Sequence, residues 1–147
     1  MDYWALVNPY CDAVSFYDGP VRFFDDIAKL PDRSRHLLTA HLCQYEVCNG
    51  GFDQLFWNST GILTPEAVSA FRAIGLPNTA TVVEEAIAAF GPSFPRDRAA
   101  RQRALDVMRE KCKPSRAFAN LDDRFYALIE TEHGGWNAAA DEFAGTT

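Results

Sequence analysis

Between Ser34 and Asn49 the apolar residues Leu37, Leu38, Ala40, Leu42, Cys43, Tyr45, Val47 and Cys48 fall on most sides of a helical projection. A helix without a continuous polar face belongs at the centre of a bundle. Between Leu121 and Glu132 the pattern is different. Leu121, Phe125, Leu128 and Ile129 follow an i, i+4, i+7, i+8 stripe, with Asp123 and Glu130 on the opposite side, which predicts an amphipathic helix with one face in water. Thr64-Pro65-Glu66 predicts a helix start, with a capping hydroxyl, a proline where a missing N–H costs nothing and a carboxylate near the positive helix end. Gly75 supplies a left-handed stop. A further helix is expected from about Thr79 to Phe90, between Pro77-Asn78 and Gly91-Pro92, forming an antiparallel hairpin with the one before it.

Breakers recur at Gly19-Pro20, Pro31, Gly50-Gly51, Gly61, Pro65, Pro95, Pro114 and Gly134-Gly135, leaving helix-length blocks between them. No block alternates Val, Ile or Thr with polar residues, and no pair of such runs flanks a hairpin turn. There is no internal repeat and no linker long enough to separate a second domain from the first. The fold class is therefore all-α: one compact bundle over residues 1–147, with a buried central helix near 34–49.

The densest stretch is Glu46 to Gly61. It reads as a helix end, a Gly-Gly turn with positive φ expected at both glycines, a short aromatic helix over 52–57 and a second stop. Phe52, Leu55 and Phe56 recur at three and four residues and can cover the core. Asn49 and Asn58 suit helix ends. Glu46 and Gln54 are polar exceptions, and a carboxylate on so apolar a helix needs donors, which free backbone N–H groups at the start of the next helix would supply.

With 147 residues, 48% of them hydrophobic, the chain can bury a core without disulfide or metal. Cys11, Cys43, Cys48 and Cys112 form no CxxC pair. His36 to His41 and Cys43 to Cys48 are each five residues apart, about 140° on a helix, so neither pair suits one metal ion. No metal and no cofactor is expected. The net charge of -6 disfavours direct nucleic-acid binding. The lack of a long apolar run or a basic leader predicts a cytoplasmic protein without a membrane segment. Charge is uneven, at -4 over residues 1–28, +5 over 96–116 and -5 over 117–147. The basic stretch reads either as an exposed helix paired with neighbouring acids or as a functional patch. Glu46, Asn49, Gln54 and Asn58 could line a pocket, but no activated nucleophile, oriented His or GK[ST] sequence accompanies them, so no catalytic residue is assigned.

Glu46, Asn49, Gly50, Gly51, Phe52, Gln54, Phe56, Asn58 and Gly61 stand in the register Glu-x-x-Asn-Gly-Gly-Phe-x-Gln-x-Phe-x-Asn-x-x-Gly. In this the chain resembles the DNA-mimic protein family of small bacterial helical proteins. The likeness returns at Leu121-Asp122-Asp123-Arg124-Phe125-Tyr126 and covers about residues 20 to 130, with the basic stretch and both termini matching poorly. The resemblance implies a compact helical domain and, for the member that names the family, an acidic surface that occupies the DNA-binding face of a helix-turn-helix repressor. The function expected here is non-catalytic protein binding, with a basic DNA-binding protein as partner. The candidate surface joins Asp18, Asp25, Asp26, Asp122, Asp123, Glu130, Asp141 and Glu142. A toxin-neutralising immunity protein and a small-molecule-binding or hydrolytic domain are the alternatives, and the sequence leaves a homodimer open.

Overall fold

The computed structural model describes residues 1–112 and 116–146, so that Lys113 of the basic stretch and Pro114 of the breakers lie outside the described residues. The described chain is all-α, with no strand: α1 (Trp4–Val7), α2 (Gly19–Ala28), α3 (Asp32–Trp57), α4 (Thr64–Ile74), α5 (Pro77–Ala88), α6 (Arg98–Cys112), α7 (Ala119–Thr131) and α8 (Trp136–Gly145). Short 3-10 turns cover Asn8–Tyr10, Ser59–Leu63 and Glu132–Gly134. None of the described helices is long and apolar enough to cross a membrane.

The helix expected over 34–49 is the first half of α3, an element that as a whole packs against α1, α4, α6, α7 and α8. It is less encircled than its sequence suggests. Leu37, Leu38, Ala40, Cys43 and Val47 are buried, whereas Tyr45 and Cys48 are exposed and Leu42 is half-buried. Tyr45 stacks on His41 rather than entering the core. After the kink the second half of α3 carries Phe52 and Phe56, both fully buried, into an aromatic cluster with Phe90, Phe94, Phe118 and Phe125.

α4 and α5 form the expected packed pair. Gly75 is left-handed (φ 96°), and the Gly75 and Leu76 N–H groups donate back to Arg72 and Phe71 carbonyls at 3.2 and 2.8 Å. That double bond satisfies the orphan acceptors of the helix end. Two boundary details differ from expectation. Thr64 is the first helical residue rather than the cap, and its hydroxyl donates to the Gly61 carbonyl at 2.7 Å. α5 begins two residues earlier than expected, because Glu132 of the α7–α8 turn accepts from the Asn78 and Thr79 N–H groups and from the Thr79 hydroxyl, each at 2.8 Å. A carboxylate at that end also complements the helix dipole.

The N-terminal segment is moored through rings. Trp136 Nε1–H donates to Tyr3 Oη (3.2 Å), which stands 3.0 Å from His41 Nδ1. An indole nitrogen can only donate, so the hydroxyl proton is free to point at His41, which suits the neutral imidazole protonated at Nε2. Burial pulls the pKa of His41 below its ordinary value. His36 shifts the same way, through burial and then the nearby Arg35 cation. A depressed imidazole binds fewer protons folded than unfolded, so its stabilising contribution is full above the unfolded value near 6.5 and is lost as pH falls towards the folded value. Thermal midpoints should therefore drop between pH 7.5 and 5.5, and His41→Leu should flatten that slope. A midpoint independent of pH across this window would show that both rings take up protons unhindered.

Candidate functional site

The motif is organised around a break in α3. Gly50 (φ -152°, ψ 18°) and Gly51 (φ 75°, ψ -178°) depart from helical angles, so Asn49 ends one helix and Phe52 opens another. Positive φ occurs at Gly51 alone, which corrects the expectation of two such residues. Gly50 is needed for a different reason: a Cβ there would stand 2.8 Å from Cβ of Gln54 and closer still to its amide.

Three side chains bridge the break. Glu46, one turn before it, accepts at Oε2 from Gln54 Nε2 (2.9 Å) and Asn58 Nδ2 (3.1 Å), both beyond it. Glu46 thus finds side-chain amides of its own motif, not the backbone donors expected. The backbone donor is taken by a remote residue, Asp122 at the start of α7, whose Oδ1 accepts from Phe52 N–H at 2.8 Å. Asn49 is exposed and stands apart from this network. Glu46, Asn58, Ser59 and Thr60 line an open cleft of about 350 Å³ with Tyr17 and Arg98. A second hollow of about 370 Å³ lies beside the break, against Gly50, Phe118 and Asp122.

The far end of the motif is held by Arg101, which the charge pattern of the basic stretch does not single out. Its side chain is fully buried, and no carboxylate forms an ion pair with it among the described residues. Its guanidinium instead donates to four carbonyls: Phe56 (2.7 Å), Asn58 (2.8 Å), Arg96 (3.0 Å) and Pro95 (3.2 Å). Phe56 lies in the last turn of α3, where carbonyls carry the negative pole of the helix, and Asn58 stands just past that end, its carbonyl also accepting the Gly61 N–H at 3.1 Å. Burial, with Arg98 close by, pulls the Arg101 pKa down to about 10, so the group is charged at neutral pH. Gly61 makes room for this clamp, since a Cβ there would lie 2.4 Å from the Leu55 carbonyl and 3.0 Å from Arg101 Nε. A sequence signal for Arg101 exists: it lies four residues before buried Leu105, in the place of the first apolar residue of the inward stripe of α6.

Other bases of the stretch also turn inward. Arg96 pairs with Glu66, donates to the Ile62 carbonyl and lies 4.8 Å from the Phe24 ring centre. Arg109 grips Asp53 through two nitrogens (2.6 and 3.0 Å) and stacks 4.4 Å above Trp57. Arg98 Nε and Gln102 Nε2 both donate to the Trp57 carbonyl at 3.0 Å. Much of the +5 charge therefore fastens α6 to the motif.

The acidic set divides. Asp26 and Asp122, expected on a partner-binding surface, are buried, at 6% and 2% exposure. Asp26 accepts the Ser15 N–H at 2.9 Å and pairs with Arg22, and these contacts hold its carboxyl below the ordinary range. Asp122 is turned inward by Phe52 N–H. Asp25 pairs with Lys29 and Asp18 accepts the Ser15 hydroxyl, both on or beside α2. Asp123 and Glu130 are exposed on α7. Asp141 accepts the Tyr3 N–H at 2.8 Å, and Glu142 meets His133 at 2.5 Å. His36, His41, Cys43 and Cys48, weighed as metal ligands, are dispersed along α3, and the four cysteines are free.

No curated protein and no solved structure matches the chain. The family model for DMP19-like protein matches residues 28–144, starting later than the resemblance suggested but running through the basic stretch and α8. That span takes in the kinked helix, the clamp on its end and the carboxylate that caps its second half, and the chain belongs to the DMP19-like protein family.

Proposed function

We propose that the chain is a non-catalytic protein-binding domain whose outer α7–α8 face acts as a DNA mimic, occupying the DNA-binding surface of a basic helix-turn-helix transcription factor. The observation that carries this reading is the pair Asp123 and Glu130. Both are exposed, and neither makes an ion pair among the described residues. Seven residues apart on one helix, they stand about 10.5 Å apart along its axis and point nearly the same way. Arg124, beside Asp123, does not neutralise them, because it reaches across to Glu85 on α5 at 2.6 and 3.2 Å.

The negative track extends beyond α7. Glu130 shares an open cleft with Gln44, Cys48 and Asn137, and Asp141 lies one turn beyond Asn137 on α8. Carboxylates at such intervals offer a DNA-binding protein a substitute for phosphates, with steered association that weakens as salt rises. The inward turn of Arg96, Arg101 and Arg109 reduces the competing positive field from the 96–116 stretch. Membership in the DMP19-like family supports the same reading.

The test is binding of candidate helix-turn-helix repressors to the wild type and to Asp123→Lys/Glu130→Lys, at two salt concentrations and against operator DNA. The double variant should bind at least about tenfold more weakly and fail to displace DNA. Its melting curve should stay close to wild type, as expected for exposed positions. Binding indifferent to both salt and charge reversal would exclude mimicry by this face.

A further inference from the structure

We propose that the hollow beside the Gly50–Gly51 break binds a free α-amino acid with an apolar side chain, its ammonium on Asp122 and its carboxylate on Arg116. The cavity, about 370 Å³, is walled by Gly50, Asp53, Arg109, Arg116, Phe118 and Asp122. Its volume falls within the range of about 300–1,000 Å³ usual for small-molecule sites, and most of its wall is apolar, as such sites are. None of the exposed acids proposed for the α7–α8 face lines it.

Two of the charged lining groups are already engaged. Arg109 and Asp53 hold each other through two hydrogen bonds, and the guanidinium is stacked on Trp57. Those contacts fix them as wall. Asp122 and Arg116 are different. Asp122 is 2% exposed, and only Oδ1 is used, by Phe52 N–H; Oδ2 accepts no hydrogen bond among the described residues. Arg116 is exposed and makes no side-chain hydrogen bond or ion pair among the described residues, yet it lies near enough to favour the ionised form of Asp122. Burial outweighs that help and leaves the Asp122 carboxyl above its ordinary range, a negative charge short of compensation.

The mixture of signs selects the ligand. A simple cation would satisfy Asp122 but meet Arg116, and a simple anion would do the reverse. A zwitterion satisfies both, because its two charges are held on one small frame. Phe118 and Ala117, with the side-chain-free backbone of Gly50, leave an apolar wall for the remainder of the molecule.

The experiment is a titration of ¹⁵N-labelled protein with L-leucine and L-phenylalanine, alongside leucinamide and N-acetyl-leucine, followed by amide chemical shifts. The amino acids should give saturable shifts at residues 50–53 and 116–123 with Kd below about 1 mM. Leucinamide and N-acetyl-leucine, each lacking one charge, should bind at least about tenfold more weakly. Asp122→Asn keeps an oxygen for Phe52 N–H but loses the charge, so it should weaken leucine binding about tenfold or more with little change in the melting midpoint. Arg116→Gln alters an exposed side chain and should weaken leucine binding comparably while leaving leucinamide unaffected; it carries the test alone should Asp122→Asn fail to fold. The proposal is overturned if neither amino acid perturbs these amides by about 10 mM, or if the one-charge analogues bind as tightly as leucine. Unchanged leucine affinity in Arg116→Gln overturns it equally.

Discussion

Arg101→Leu should destabilise the protein by about 3–5 kcal/mol, enough to leave a marginally stable domain largely unfolded at 37 °C. Leucine is close enough in size to fill some of the space, so the loss is chiefly polar. Four carbonyls would lose a guanidinium N–H, that of Phe56 in the buried interior and those of Asn58, Pro95 and Arg96 in partly buried surroundings, and each buried, unpaired acceptor costs about 1–3 kcal/mol before relaxation. Arg101→Lys is the informative control. It keeps the charge but gathers its donors at one point, whereas the carbonyls of Phe56, Asn58, Pro95 and Arg96 surround a planar fork. It should recover less than half of the loss. Urea unfolding of the three proteins measures this directly. A leucine variant within about 0.5 kcal/mol of wild type would mean that the α3 end finds water or another donor without the arginine.

Gly51→Ala should have the next largest effect, about 2–4 kcal/mol, from two sources that act together. At φ 75° and ψ -178° the backbone is in a region that only glycine enters freely, and forcing a side chain there costs about 1–3 kcal/mol. The new methyl would also stand 2.7 Å from Asp122 Oδ2, displacing the carboxylate that accepts from Phe52 N–H. Gly50→Ala meets no backbone penalty, since its φ of -152° is ordinary for any residue. It must push the Gln54 side chain aside and release Glu46 from one of its two amides. The order of melting midpoints should be wild type, then Gly50→Ala, then Gly51→Ala. Reversal of the two variants would place the rigidity of the break in the Glu46 network rather than in the backbone of Gly51.

The helices were legible where local chemistry decides them. Gly75 with Pro77, the paired glycines at 50 and 51, and the stripe through Phe125 and Ile129 are signals contained within one or two turns, and the observed elements follow them closely. What distance decides was not legible. Asp26 and Asp122 sit in helical runs that look like solvated faces, and they are buried because Ser15 and Phe52, 11 and 70 residues away, present unpaired N–H groups. Thr79 reads as a helix start, but the carboxylate that draws α5 back to Pro77 is Glu132. For the motif, the participants were visible and their pairing was not: Glu46 needs donors, yet nothing in the spacing says that Gln54 and Asn58 would fold back across the break to supply them. Arg101 is the extreme case, one of several arginines in a row, distinguished by packing against carbonyls that precede it by more than 40 residues.

The clamp also bears on how the chain acquires its structure during synthesis. When the second half of α3 leaves the ribosome, the Phe56 and Trp57 carbonyls at its end lack the α6 side chains that donate to them, and Phe56 lacks the cover of Phe90, Phe94 and Phe118. The first 60 residues are therefore a poor folding unit by themselves, and closure of the core waits for the arginine. Once it has closed, opening the end of α3 requires α6 to leave with it. Amide hydrogens of residues 55–57 should then exchange with solvent only as fast as the whole molecule unfolds, unlike the ends of ordinary helices, which fray independently.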